Sequence, residues 1–314
     1  MMAITIPASF FTYRLLPLLL ALMLLGTSSA AFAAGKKQKT FASPEKAVQR
    51  LIAAVKSDDL AKLVAILGPG SQPLVSSGDP VADAAGRKGF VQRYEEKNRL
   101  EPVGLDKVVL IVGPGEDPFA IPLVKKGTRW FFNTAAGREE ILNRRIGKNE
   151  LRAMEFARAY VVAQREYVSA ARNGDGARAF AAHFRSTPGA KDGLYWDVKE
   201  GEKESPLGPL AARAAQEGYG DSPAIDPYHG YLFRILKAQG EHAEGGAFDY
   251  VVDGKMILGF ALVAFPAQYG SSGIMTFIVN QSGVIYQKDL GEATAATAAA
   301  LKLYDPDTSW KKAE

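Results

Sequence analysis

From residue 43 onward the apolar positions first recur at three- and four-residue spacing. Ala47, Val48, Leu51, Ile52 and Val55 share one helical face. Ser43-Pro44-Glu45 precedes them; the Ser oxygen suits the free backbone N–H groups of a helix start, and Pro fits the first helical position. Ser57-Asp58 caps a second helix with Leu60, Leu63, Val64 and Leu67 inward, stopped at Gly68-Pro69-Gly70. Asp79-Pro80 opens a third helical segment that ends near Leu100. The period then changes. Residues 108–112 are a β-branched apolar run, 114–118 a Pro/Gly turn cluster, 119–124 a second strand and 129–133 a third, after a turn at Lys126-Gly127. Trp130-Phe131-Phe132 reads as core of this sheet.

Residues 135–172 form a helical middle. Leu151, Met154, Ala157, Val161, Gln164 and Val168 trace a stripe on a long helix that starts after Gly147 and ends at Asn173-Gly174. A shorter helix follows near 177–184, and the chain is then loop-rich to about Tyr228. The rest is strongly β. Residues 231–236 form a strand, 248–252 and 256–265 a hairpin on Asp253-Gly254, and 274–279 and 284–287 a second hairpin. A helix over 293–303 closes the pattern.

Ahead of all this, Arg14 precedes an apolar run over 15–25, and small residues lead to Ala31-Phe32-Ala33. A positive charge, a short apolar core and an A-x-A site make a secretory signal peptide. The competing reading, an N-terminal inner-membrane anchor, needs about 20 apolar residues; here the last third is Gly, Thr, Ser and Ala. The expected organisation is a signal peptide over 1–33, a tether over 34–42, an N-terminal α+β domain over 43–147 and a C-terminal helix-plus-antiparallel-sheet domain over 148–314. The expected location is periplasmic or secreted.

Helices followed by an antiparallel meander resemble the nuclear-transport-factor-like (NTF2) or cystatin-like cone, in which a curved sheet wraps a helix. Three further segments carry a second resemblance: Asp192-Gly193-Leu194-Tyr195-Trp196; Pro227-Tyr228-His229-Gly230-Tyr231-Leu232-Phe233; and Gly259-Phe260-Ala261-Leu262-Val263-Ala264-Phe265-Pro266-Ala267-Gln268-Tyr269-Gly270, running on into Met275-Thr276-Phe277-Ile278-Val279-Asn280. Together they resemble an exported bacterial family, domain of unknown function 2950. That likeness implies an export address and brings no catalytic residues with it. The strand order of the C-terminal half also looks like the globular head of type IV pilin-like proteins, where a long helix lies against an antiparallel sheet. A pilin's Phe-Thr-Leu-x-Glu stem does not follow the signal.

Composition narrows the chemistry. The 314 residues contain no Cys, which excludes disulfides, thiol catalysis, thiolate metal sites, iron–sulfur clusters and c-type haem attachment. Loss of Arg14 with the signal leaves 37 basic against 34 acidic residues, too even for a nucleic-acid or anionic-membrane binder. The three His, at 183, 229 and 242, match no metal-ligand spacing, so neither metal nor cofactor is expected. No Gly-x-Ser-x-Gly elbow, phosphate loop or Ca²⁺ loop is present. Gly270-Ser271-Ser272-Gly273 reads as a flexible connector, Glu139-Glu140 with Arg138, Arg144 and Arg145 as a solvated helix face, and residues 199–204 as an exposed loop.

The sharpest constellation is Asp226, Tyr228, His229 and Tyr231, with Tyr195, Trp196 and Tyr269 elsewhere in the same half. A His between two Tyr beside an acid suits acid–base work. Tyr and Trp faces also suit a sugar or peptide. The plainer reading comes first: Pro227 and Gly230 bracket a turn entering a strand, whose Tyr and His cap the sheet edge. The expected function is therefore an exported envelope-binding or structural module with no identified catalytic activity, whose partner is an envelope protein, glycan or peptide. The alternative is a hydrolase or lyase acting on an envelope polymer, favoured by an aromatic cleft that holds His229 beside a carboxylate.

Overall fold

The Ser43 Oγ accepts the Lys46 N–H at 3.3 Å and starts helix α1 (Pro44–Lys56). The computed structural model describes residues 37–172, 176–220 and 226–313. The expected signal peptide, the first three tether residues and the Asn173-Gly174 stop lie outside the described residues. Among the described residues no helix is long and apolar enough to cross a membrane.

Helix α1 buries the five predicted apolar residues. Helix α2 (Leu60–Leu67) is capped by Asp59, whose Oδ1 accepts the Lys62 N–H at 2.9 Å, one residue later than predicted. It stops at Gly68, whose φ of 91° needs a residue without a Cβ. A short helix α3 (Gln72–Val75), hidden in the sequence by its Gly/Pro/Ser flanks, precedes α4 (Pro80–Glu96). The third helical segment ends four residues early, because β1 (Asn98–Pro102) pairs antiparallel with β2 (Lys107–Val112). That strand is almost wholly exposed, so it carries no apolar alternation to betray it. The sheet continues through the two-residue β3 (Asp117–Pro118), which pairs with β2, and runs β1-β2-β4-β5 with β4 (Leu123–Lys126) and β5 (Arg129–Phe132). Phe119 and Ile121 precede β4 instead of belonging to it, and Phe119 still packs at 5.3 Å from Phe90. Phe132 is fully buried, as expected of core.

Helix α5 (Thr134–Val168) is 35 residues long and passes straight through Gly147. The expected boundary between 147 and 148 therefore falls inside a helix. Its buried stripe is Ala153, Met154, Phe156, Ala157, Tyr160, Val161, Gln164 and Tyr167, while the predicted Leu151 is 60% exposed. Ile141 packs on a first core built from α1, α2 and the first sheet; residues 153–167 enter a second core. One helix thus serves both cores, and the described residues belong to one compact unit.

Residues 177–184 are not helical. Phe180 bridges Met256, and β6 (His183–Arg185) pairs parallel with β7 (Gly193–Tyr195). Helix α6 (Gly208–Glu217), in a stretch predicted as loop, has Pro in its first turn and ends on Gly218 at φ 92°. Strand β8 (Tyr231–Leu236) is as predicted. Two-residue pairs follow, β9 (Ala238–Gln239) with β10 (Phe248–Asp249) and β11 (Val251–Val252) with β12 (Lys255–Met256). The Asp253-Gly254 turn joins the latter, with φ of 49° and 77° as a type I′ turn requires. The strand expected over 256–265 is broken, since Ile257 and Leu258 donate to Tyr250 O. Strand β13 (Ala261–Pro266) joins β14 (Met275–Asn280) and β15 (Ile285–Asp289), then α7 (Thr294–Ala300) and β16 (Lys311–Lys312) close the chain. The second sheet is antiparallel, in the order β16-β15-β14-β13-β8, and α5 lies against β13 and β14. Among the described residues the protein is α+β, with two five-stranded sheets and three two-stranded pairs.

Side chains of α5 tie the two cores together. Arg145 donates to Pro73 O and Leu74 O, each at 2.6 Å, so it leaves the solvated face predicted for it. Asn149 Nδ2 donates to Ser272 O at 2.9 Å, and Glu150 Oε1 accepts the Ile274 and Met275 N–H groups at 3.0 Å. Ser271 and Ser272 are buried, so the segment from Gly270 to Gly273 is a packed junction and not a loose connector.

Candidate functional site

The Tyr228–Tyr231 segment is a tight hairpin turn. Tyr228 N–H donates to Tyr231 O at 2.8 Å and Tyr231 N–H to Tyr228 O at 3.2 Å. His229 and Gly230 both have left-handed φ, 49° and 80°. A non-Gly residue rarely adopts that conformation, so the surroundings must hold His229 there. They do so through Asp79, the N-cap of α4. Its Oδ1 accepts the Ala82 N–H at 2.9 Å. Its Oδ2 accepts the Gly230 N–H at 2.8 Å and the Tyr219 hydroxyl at 3.0 Å. Tyr219 Oη in turn accepts the His229 N–H at 3.3 Å. Asp79 is fully buried, and no cation among the described residues pairs with it. Gly230 itself cannot be replaced freely, because a Cβ there would lie 2.5 Å from Asn149 Nδ2.

The His229 ring packs 4.3 Å from Tyr228 and 5.3 Å from Tyr219, centroid to centroid. Its Nε2 is 3.0 Å from Glu217 Oε2 at the end of α6, a close approach without hydrogen-bond alignment that is ionic only when the ring is protonated. The side chain is 15% exposed. Burial pushes the imidazole below its ordinary pKa, and Glu217 opposes that shift. Burial raises the Tyr219 hydroxyl strongly, with the Asp79 charge adding to it, and burial likewise raises Tyr228. Both tyrosine hydroxyls therefore stay protonated near neutrality.

Beside this turn a cavity opens between α5, β7 and α6. Its walls are mainly Phe156, Phe184, Leu207, Leu210 and Ala214, with Tyr195, Asp226 and Tyr228 adding polar atoms. About 40 Å³ is free inside it. One water needs roughly 10–15 Å³ on this scale, so the space suits a ligand group of about three or four heavy atoms, not a whole sugar ring.

Three of the seven candidate residues, Tyr195, Asp226 and Tyr228, therefore line one cavity. The other four do not. His229 is packed behind Tyr228. Tyr231 is fully buried and donates to Met275 O at 2.9 Å. Trp196 lies under Arg172 and Lys191, at 5.3 and 5.5 Å from its ring. Tyr269 donates to Asp289 Oδ2 at 3.3 Å on the β15 side of the second sheet. Asp79, Glu217 and Tyr219 carry the site without having been singled out as such. Asp79 was legible only as a helix opener, and the other two lie in a stretch read as loop. Among the described residues no three His, Asp or Glu side chains gather as a metal site.

The fold is thus an α+β protein whose aromatic cavity is braced by a buried carboxylate. Over residues 38–313 the chain matches the family described as protein of unknown function (DUF2950), and it belongs to that family. No curated protein and no solved structure matches it.

Proposed function

We propose that the chain is an exported cell-envelope binding module that seats a small apolar group of its ligand in the cavity beneath α6. The observation that carries this reading is the lining: apolar and aromatic walls, with Asp226 and Tyr228 at the rim to orient a polar neighbour of that group, while the Tyr195 hydroxyl is held by Asp197 at 2.8 Å. The size suits the acetamido group of a glycan or a short aliphatic side chain of a peptide. Residues 15–33 support export by their composition, and periplasmic or secreted protein should begin near Ala34. Helix α5 against the antiparallel second sheet supports the pilin-like likeness, as the α1-to-meander order supports the NTF2- or cystatin-like one.

The test is ligand-induced thermal stabilisation with N-acetylglucosamine oligomers and alanine-containing peptides. A ligand that binds only the folded state raises the melting temperature with concentration. Ala211 of α6 also lines the cavity, so Ala211→Phe should fill it and abolish the effect. No shift with either probe class, or an equal shift in the filled variant, sinks the proposal.

The hydrolase alternative has one observation in its favour, Glu217 within 3.0 Å of His229. Against it, the ring is packed between two tyrosines and is not a wall of the cavity. Hydrolysis of envelope polymers that disappears in His229→Gln while binding persists would reinstate it.

A further inference from the structure

A second concavity lies on the opposite core, far in sequence from the aromatic cavity. Its walls are the outer stripe of α1 and the segment entering it. Lys46, Gln49, Arg50 and Ala53 occur at helical spacing of three and four, so they share one face. Thr40, Phe41 and Ala42 form the facing wall, held by reciprocal backbone bonds between Phe41 and Trp130 at 2.8 and 2.9 Å. Arg129 of β5 closes one side, with Nη2 donating to Thr40 O at 2.7 Å and Nε to Thr40 Oγ1 at 3.2 Å. The groove encloses about 460 Å³, enough for a small ligand.

Its charge is one-sided. Lys46, Arg50 and Arg129 converge on it, and no carboxylate is among its lining residues. Among the described residues none of the three is in an ion pair, so their charge in the groove is not neutralised by a neighbouring carboxylate. Gln49 and Thr40 add neutral polar atoms at the wall. We propose that this groove binds a compact phosphomonoester group. Three cations favour a group that carries about two negative charges over a single carboxylate. The arginine fork also matches phosphate oxygens with two parallel hydrogen bonds. Because Arg129 is already anchored to Thr40, one of the three cations is pre-positioned, which lowers the ordering penalty of binding.

A phosphomonoester can come from a free metabolite or from a lipid headgroup, and the two are separated directly. Glycerol 3-phosphate is titrated into the full folded chain by calorimetry at low salt, and flotation is measured with phosphatidic acid vesicles against phosphatidylcholine vesicles. The comparison protein is Lys46→Gln/Arg50→Gln, whose altered side chains are exposed and unpaired, so its melting temperature should stay that of the wild type. Expected is saturable binding in at least one arm, weakened at least tenfold by the double substitution and by raising the salt. Binding in the soluble arm assigns a free ligand, and binding only to phosphatidic acid assigns a lipid headgroup. Absence of binding in both arms, or equal binding by the folded double variant, overturns the proposal.

Discussion

Asp79 Oδ2 accepts the Gly230 N–H at 2.8 Å, joining the first turn of α4 to the hairpin turn that opens the second sheet. The two residues are 151 positions apart. The same carboxylate caps α4 and holds the Tyr219 hydroxyl. One buried group thus fixes a helix start, a strained turn and one wall of the aromatic cavity.

Asp79→Ala removes both carboxylate oxygens and with them the three hydrogen bonds they accept. Loss of the cap costs about 1 kcal/mol. Each buried donor left unpaired adds about 1–3 kcal/mol. The expected total is about 3–7 kcal/mol, read as a lower urea midpoint with unchanged slope. Asp79→Asn keeps the cap oxygen and shape but leaves the Gly230 N–H without its partner, so it should fall between the two. A wild-type midpoint for Asp79→Ala would show that the carboxylate does not brace the turn.

His229 makes stability depend on pH with a definite sign. Its folded pKa is lowered, chiefly by burial. Above the ordinary imidazole value of 6.5 both folded and unfolded forms are neutral, and its contribution is complete. As pH falls below that value the unfolded chain takes up a proton first, and stability is lost as pH falls through the folded pKa. His242 works in the opposite sense: hydrogen bonding to Asp305 raises its pKa, and its contribution is lost as pH rises through that value. The informative quantity is therefore the difference between wild type and His229→Gln. Between pH 7 and 5 the wild type should lose stability relative to the variant. At pH 7.5, His229→Ala should be destabilised by about 1–3 kcal/mol through lost packing and a disturbed turn. A flat difference curve would mean that the ring is not buried in solution.

Much of this arrangement was legible, and the exceptions share a cause. Ser43-Pro44, Asp253-Gly254 and the 231–236 run announce their elements because cap, turn and alternation signals are local. Tyr228-Pro227 and its neighbours were legible as a turn for the same reason. Helix α6 was not, because GPLAARAAQE has mostly small residues and only Ala214 fully buried. The 177–184 segment looks helical by its alanines, yet Phe180 pairs with Met256 across the fold. Asp79, Tyr219 and Glu217 converge only through tertiary contacts between α4, α6 and the hairpin, which no local spacing encodes.

Arg145 offers a test of how the segment 71–79 is held. By composition it is a Gly/Pro/Ser connector open to proteases. In the fold, Arg145 grips Pro73 O and Leu74 O, and Asp83 Oδ2 and Oδ1 accept the Ser77 N–H and hydroxyl at 2.8 Å. Residues 199–204 are exposed and tied to α5 by the solvent-exposed Lys203–Glu166 ion pair, a weaker anchor, so they should be cut first. Arg145→Met leaves two carbonyls short of a charged donor, and a loss of about 2–3 kcal/mol follows. The new cleavage should appear at 71–79, identified by mass. Lys at 145 cannot fork two carbonyls and should rescue only part of the protection.

Gly137 and Gly147 test the continuity of α5. In a helix interior Gly→Ala ordinarily stabilises, by about 0.5–1 kcal/mol, because Ala restricts the unfolded chain. Around Gly147 no atom lies within 4 Å of where a Cβ would stand, so the ordinary gain should appear as a higher melting temperature. At Gly137 the Cβ would stand 2.3 Å from Ala120 O, a backbone atom that cannot swing aside. There the substitution should cost about 1–3 kcal/mol, the range for overpacking. The pair matters because the sequence pattern places a helix start, and a domain boundary, at Gly147. A break there that used the freedom of glycine would make Gly147→Ala destabilising. Stabilisation at 147 together with destabilisation at 137 is the signature of one helix running unbroken from the first core into the second.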